Sequence, residues 1–377
     1  MPDHKNNISL FRKSLYALIV TASVIILSEI IVSVFYYHQY GNRKSALVEL
    51  YYNIKKNIQQ KNEVDTNREK NYYLQQLVRP DSSKEVNHRI YDETMLANKF
   101  VYTPWLEFRV ADFAGKYVNT KGFIRKSQPD LINRSTDTIT IWFFGGSTMY
   151  GFNVSDFETI PAAFCRLYGT TGTSQKTLQV VNYGIPYYYS FQEKQLFHQL
   201  LQEMKAPDIA VFLDGLNDFL NYNTSFKKTT FFSESFGKLI QKQQGELFTG
   251  KAITDYFPYS SLTGYQSDSL VNTFLKTLKT IEQEGKNASC NTLFVLQPTP
   301  FYNYRNKNND TACSKENLPL FNHVYPKLKT EYSGRNNYLF LGDIHNNFNK
   351  QPYVDAVHYS PSFNEYIASL ILEHLNL

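Results

Sequence analysis

The chain is read as a three-layer α/β domain, a central parallel sheet of about five strands with helices on both faces, preceded by one transmembrane helix. Two observations predict this. Strand-like apolar runs alternate with helix-period segments along the C-terminal two thirds, and one long, almost wholly apolar stretch lies near the N-terminus. The strand candidates are Thr138 to Phe144, Leu178 to Asn182, Ile209 to Asp214, Thr292 to Gln297 and Tyr338 to Gly342. Helical spacing is found at Thr159 to Tyr168, Ser190 to Met204, Asp268 to Glu284, Asn317 to Glu331 and Ser362 to Leu375. In a sheet of this kind ligands bind beyond the carboxyl ends of the strands, so the residues that end each run are the ones to inspect.

The first run ends in Phe143-Phe144-Gly145-Gly146-Ser147-Thr148, a serine on a glycine-built turn between strand and helix. Such a turn exposes a hydroxyl and aims backbone N–H groups at a developing oxyanion. The second ends in Val180-Val181-Asn182-Tyr183-Gly184-Ile185-Pro186 and the third in Asp214-Gly215-Leu216-Asn217-Asp218. Gly184 can offer a backbone N–H and Asn217 a side-chain amide, while Asp218 reads as a helix N-cap. Just before the last helix, Tyr353-Val354-Asp355-Ala356-Val357-His358 places a carboxylate three residues ahead of a histidine. That pair can hold an imidazole in the tautomer a general base requires.

Four blocks in the order Ser, Gly, Asn, Asp-x-x-His resemble the SGNH hydrolase superfamily, also called GDSL esterases, over roughly Tyr102 to Leu377. The resemblance implies a flavodoxin-like sandwich with Ser147 as nucleophile, His358 as general base and acid and Asp355 as its orienter. Ser147 N–H, Gly184 N–H and Asn217 would form the oxyanion hole, and no cofactor or metal is implied. The segments Tyr102-Thr103-Pro104-Trp105 and Val118-Asn119-Thr120-Lys121-Gly122-Phe123-Ile124-Arg125 look like those of membrane-associated bacterial members. Gly146 departs from the Asp that many members carry before the serine, which weakens any inference about substrate from the Gly-Asp-Ser lipases.

The N-terminal flank, 1–13, carries Lys5, Arg12 and Lys13. Residues 14–37 are apolar and long enough to span a bilayer core, which needs about 20 helical residues. No Ala-x-Ala type site follows, so the stretch is read as a retained anchor rather than a cleaved signal peptide. Glu29 within it reads either as a contact with another membrane protein or as a tolerated polar residue off the midplane. Basic residues flank both ends, so charge does not set the orientation; chemistry and family place the catalytic domain outside the cytoplasm. Residues 38–95 are expected to form a membrane-proximal stalk, helical around Leu47 to Ile58. The SGNH-like domain occupies 96–377, interrupted by a lid-like insertion at 219–267 rich in Phe and Tyr, read as either an acyl- or acceptor-recognition lid or a cover for the sheet edge.

Composition excludes little but is consistent with this. A net charge of +5 from 39 basic and 34 acidic residues leaves no nucleic-acid footprint. The 29 Tyr and 28 Phe could offer sugar-stacking surfaces or reflect general residue usage. The eight histidines show no metal-ligand spacing. Cys290 and Cys313 could bridge in an oxidising compartment, but spacing alone does not decide it, and Cys165 reads as a buried apolar residue. The expected activity is ester hydrolysis on O-acyl, short-chain groups. O-acyl transfer to an envelope glycan and a silent binding or assembly module on the same fold stand as alternatives.

Overall fold

The computed structural model describes residues 4–40, 83–127, 137–171, 176–220, 264–305 and 319–377. Most of the 219–267 insertion, the stalk at 41–82 and Cys313 lie outside these residues. The chain divides into two units, Met1–Lys70 with Ser235–Phe257, and Asn71–Glu234 with Pro258–Leu377. In the first, helix α1 (His4–Tyr40) contains the stretch Lys13–Ile31, long and apolar enough to cross a membrane, with its side chains facing outward.

The second unit begins with α2 (Lys84–Ala97), capped by Ser83, whose hydroxyl accepts from Val86 N–H. Although α2 falls mostly inside the expected stalk, its Glu93 carboxylate accepts the backbone N–H groups of Lys116, Tyr117 and Val118, which fastens it to the folded unit. A hairpin follows, β1 (Phe100–Thr103) and β2 (Glu107–Val110). Next come three short strands, β3 (Phe113–Ala114), β4 (Asn119–Lys121) and β5 (Ile124–Arg125).

The main run starts at β6 (Thr138–Gly145) and continues through α3 (Ser147–Tyr150), α4 (Ile160–Thr171), β7 (Thr177–Gly184) and α5 (Ser190–Glu203). It goes on with β8 (Ile209–Asp214), α6 (Asn217–Leu220), α7 (Gly264–Asn287) and β9 (Asn291–Leu296). It ends with α8 (Pro319–Tyr332), β10 (Tyr338–Phe340) and α9 (Pro361–Leu375). The sheet order is β10-β9-β8-β6-β7-β5-β4-β3. The first five are mutually parallel, as expected; β5, β4 and β3 extend the sheet antiparallel beyond β7.

Successive side chains of each strand point to opposite faces, so each strand feeds two cores. Trp142, Phe144, Phe212 and Phe294 face α5, α7 and α8, whereas Ile141, Phe143, Val211 and Val295 face α4 and α9. Register places Tyr183, Phe144, Phe212, Phe294 and Tyr338 side by side across five strands. Their rings stack or tilt at centroid spacings of 5.3, 4.7, 5.6 and 5.0 Å. Part of the aromatic content is therefore a cross-strand ladder in the core, the arrangement that stabilises sheets pairwise.

The connections fix where a ligand can sit. β6 pairs with β7 on one side and β8 on the other, so the chain leaves β6 first in one direction and then in the opposite one. Such a reversal opens a crevice at the carboxyl end of β6, and Ser147 stands there.

Candidate active site

Ser147 is the first residue of α3, so its N–H is among those that no intrahelical acceptor can reach. The turn is sterically tight. A Cβ on Gly146 would lie 2.5 Å from Asn217 Nδ2 and 3.0 Å from Tyr188 O, so any larger residue here would force Asn217 to shift. Asn217, at the start of α6, donates to Tyr188 O at 2.7 Å, which brings the loops after β7 and β8 together beside the serine.

Ser147 Oγ lies 2.8 Å from His358 Nε2. On the far side of the ring, His358 Nδ1 is 2.9 and 2.8 Å from the two Asp355 oxygens. Asp355 also accepts the N–H groups of Val357 and His358 and the side-chain amide of Asn153, at 3.0, 2.9 and 2.8 Å. Burial pushes its carboxyl up. Electrostatic attraction to His358, the hydrogen bond from its Nδ1–H and the two backbone donors outweigh that and hold the group at about 2. An acceptor-only carboxylate thus selects the tautomer with hydrogen on Nδ1, leaving Nε2 as an acceptor for the serine proton.

Gly184 is placed otherwise than expected. It remains in strand register opposite Gly145, and its N–H donates to Asn182 Oδ1 at 2.8 Å. A Cβ at this position would lie 2.3 Å from Tyr150 N. Its glycine therefore lets α3 sit close on β7, while its donor is engaged within the strand end.

Several residues of the site were not singled out by the sequence. The Phe152 ring stacks on the His358 imidazole at 4.6 Å. Asn153, at φ +63°, reaches Asp355 from the same loop. That loop is held by buried Arg125, which pairs with Asp156, donates to Val154 O at 3.1 Å and lies over the Tyr150 ring. At the end of β9, Gln297 Oε1 accepts from Thr148 at 2.7 Å and Tyr359 at 3.2 Å, tying the Ser147 turn to the histidine loop. Gln297 thus acts as a brace between the two loops. The thiols of Cys165 and Cys290 are each pushed up to about 12 by burial, which leaves neither as a thiolate.

Beneath Asn217 lies a buried acid cluster. Asp218 accepts from Ser190 N–H and Oγ–H, at 3.2 and 2.5 Å, so its role extends beyond the N-cap expected of it. Burial raises Asp218 to about 6. Burial and the neighbouring acids raise Glu193, and burial with the Asp218 charge raises Asp214. Acids raised on folding add stability that is complete below the unfolded values near 4 and is lost as pH climbs through the folded ones. Thermal unfolding should therefore show a melting temperature that falls from pH 5 to pH 8, and Glu193→Gln should flatten the slope; an unchanged slope would remove the cluster as its cause. Among the described residues no group of His, Cys, Asp or Glu converges so as to hold a metal ion.

No known family model matches the chain, and no curated protein is similar to it. Among solved structures it is similar to a catalytic mutant of Axe2, an acetylxylan esterase from Geobacillus stearothermophilus. The identity is 14%, the match covers 66% of this chain and 97% of the other, and the TM-score is 0.40. A member of the lipolytic protein G-D-S-L family from Veillonella parvula is 12% identical, covering 62% and 97% at a TM-score of 0.38. The psychrotrophic esterase EstA from Pseudoalteromonas sp. is 11% identical, covering 63% and 96% at 0.35.

Proposed function

We propose that this chain is a serine esterase of the SGNH type that cleaves O-acyl, short-chain esters through an acyl-serine intermediate. The observation that carries the reading is the hydrogen-bonded line Asp355–His358–Ser147, with 2.8 Å at the serine. His358 Nε2 takes the Ser147 proton as Oγ attacks the ester carbonyl. Ser147 N–H and the Asn217 amide face the resulting oxyanion, and His358 returns the proton to the leaving alkoxide. A water, deprotonated by the same imidazole, then releases the acid. The apolar stretch Lys13–Ile31 supports a single-pass anchor, and the catalytic part is proposed to lie outside the cytoplasm. There it would meet envelope esters.

The test is reaction of the full chain in detergent micelles with a fluorophosphonate, which phosphonylates an activated serine with loss of fluoride. Mass spectrometry should find one adduct, on the peptide that contains Ser147. Absence of reaction in folded protein would sink the proposal. For the oxyanion role, Asn217→Ala should lower kcat about a hundredfold to a thousandfold with a smaller change in KM. A variant with full turnover would show that the amide only anchors Tyr188 O.

A further inference from the structure

The motif Tyr102-Thr103-Pro104-Trp105 takes no part in the chemistry above. It forms the first strand and tip of the β1–β2 hairpin, which is pinned to the core from the other strand by buried Leu106, Phe108 and Val110. The tip itself points outward: Trp105 is 88% exposed and Tyr102 67%. Trp105 and Glu107 both adopt left-handed backbone, at φ +67° and +71°. Such conformations are strained for a bulky residue and persist where the surroundings impose them, often at ligand sites. Here the conformation displays an indole to solvent.

The hairpin leads to the serine. Phe100 and Tyr102 share one face of β1 by the two-residue period, and the Phe100 ring meets Tyr187 edge-on at 5.8 Å. Tyr187 is itself left-handed, at φ +70°, and 45% exposed. It immediately precedes Tyr188, whose carbonyl holds the Asn217 amide and whose hydroxyl donates to Phe108 O. An aromatic ledge therefore runs from beside Asn217 through Tyr187 and Phe100 to Tyr102, with Trp105 exposed at the hairpin tip.

We propose that this ledge is a pyranose-binding subsite, which holds the sugars flanking the acylated one in an O-acylated polysaccharide. The proposal rests on the esterase reading and narrows its substrate. Aromatic faces pack against the C–H faces of pyranose rings, and the tyrosine hydroxyls suit the hydroxyl edges. The approach of the ledge to Asn217, which lies beside the Ser147 turn, favours a substrate chain over a bilayer.

The test compares acetylated xylan, acetylated glucomannan and acetylated chitooligosaccharides with p-nitrophenyl acetate, using the full chain in micelles. For at least one polysaccharide, Trp105→Ala and Tyr102→Ala should lower the ratio of its kcat/KM to that for p-nitrophenyl acetate at least tenfold. The loss should appear in KM, and Trp105→Phe should restore most of it. Trp105 is one of only two tryptophans and the other, Trp142, is buried, so saccharide binding should also shift the emission of the Ser147→Ala protein. That binding readout separates the two ideas: saccharide-dependent emission with no ester turnover would overturn the esterase and keep the subsite. Turnover of the small ester with unchanged ratios on all three glycans would overturn the subsite. So would Trp105-dependent partition into phosphatidylglycerol vesicles without any saccharide effect, which would make the ledge a bilayer contact.

Discussion

Ser147→Ala and His358→Ala are each expected to abolish ester turnover, with kcat lower by about a millionfold, the loss seen when one member of such a relay is removed. The two should be nearly equal, because Oγ without a base is a weak nucleophile and a base without Oγ has only water to activate. Fold should survive both changes. Ser147 Oγ bonds to His358 at a half-buried position, so its removal leaves a modest cavity. Removal of His358 leaves Asp355 buried and charged, yet Asn153 Nδ2 and the N–H groups of residues 357 and 358 still satisfy it. A lower melting temperature with native circular dichroism is therefore expected for His358→Ala, and an almost unchanged one for Ser147→Ala. Initial rates on p-nitrophenyl acetate decide the matter. A Ser147→Ala protein with more than a few per cent of wild-type turnover would mean that another group attacks the ester.

Those two residues could be read from the chain because each ends or precedes an element whose period is plain. Thr138 to Gly145 alternates between two buried faces and closes on glycines, and Ser360-Pro361 opens a helix with its N-cap in place. The residues that brace them left no such trace. Asn153 and Phe152 follow α3 in an irregular loop, and they meet Asp355 and His358 only because β6 sits at the centre of the sheet while α9 packs on α4. Gln297 is one residue beyond a strand, yet its partners Thr148 and Tyr359 are brought to it by two distant segments. The antiparallel strands β3 to β5 are two or three residues long, too short for any periodicity to register. Gly184 shows the opposite failure. A glycine at a strand end invites a catalytic reading, but close packing against Tyr150 N demands the same residue, and only the structure separates the two.

Asp355→Asn is expected to leave the shape of the site intact and still cost about 10⁴ in kcat, because it changes which imidazole nitrogen carries hydrogen. The two oxygens of Asp355 now face three kinds of donor: backbone N–H groups on Oδ1, the Asn153 amide on Oδ2, and His358 Nδ1 on both. An Asn that keeps its oxygen toward the backbone donors must put its NH2 in the place of Oδ2. That group donates to Nδ1, so the hydrogen moves to Nε2, and the ring meets Ser147 as a donor that cannot accept its proton. The same NH2 opposes the Asn153 amide, which must rotate to present its oxygen.

A pH series adds a check that turnover cannot give. A carboxyl held at about 2 against an unfolded value near 4 contributes stability that is complete above pH 4 and is lost as pH falls toward 2. The wild-type protein should therefore lose more stability than Asp355→Asn between pH 4 and pH 2, whatever the ester used. If the variant kept more than a tenth of wild-type turnover, the Phe152 stack would suffice to orient His358, and Asp355 would be a buried anchor for its loop rather than the orienter of the base.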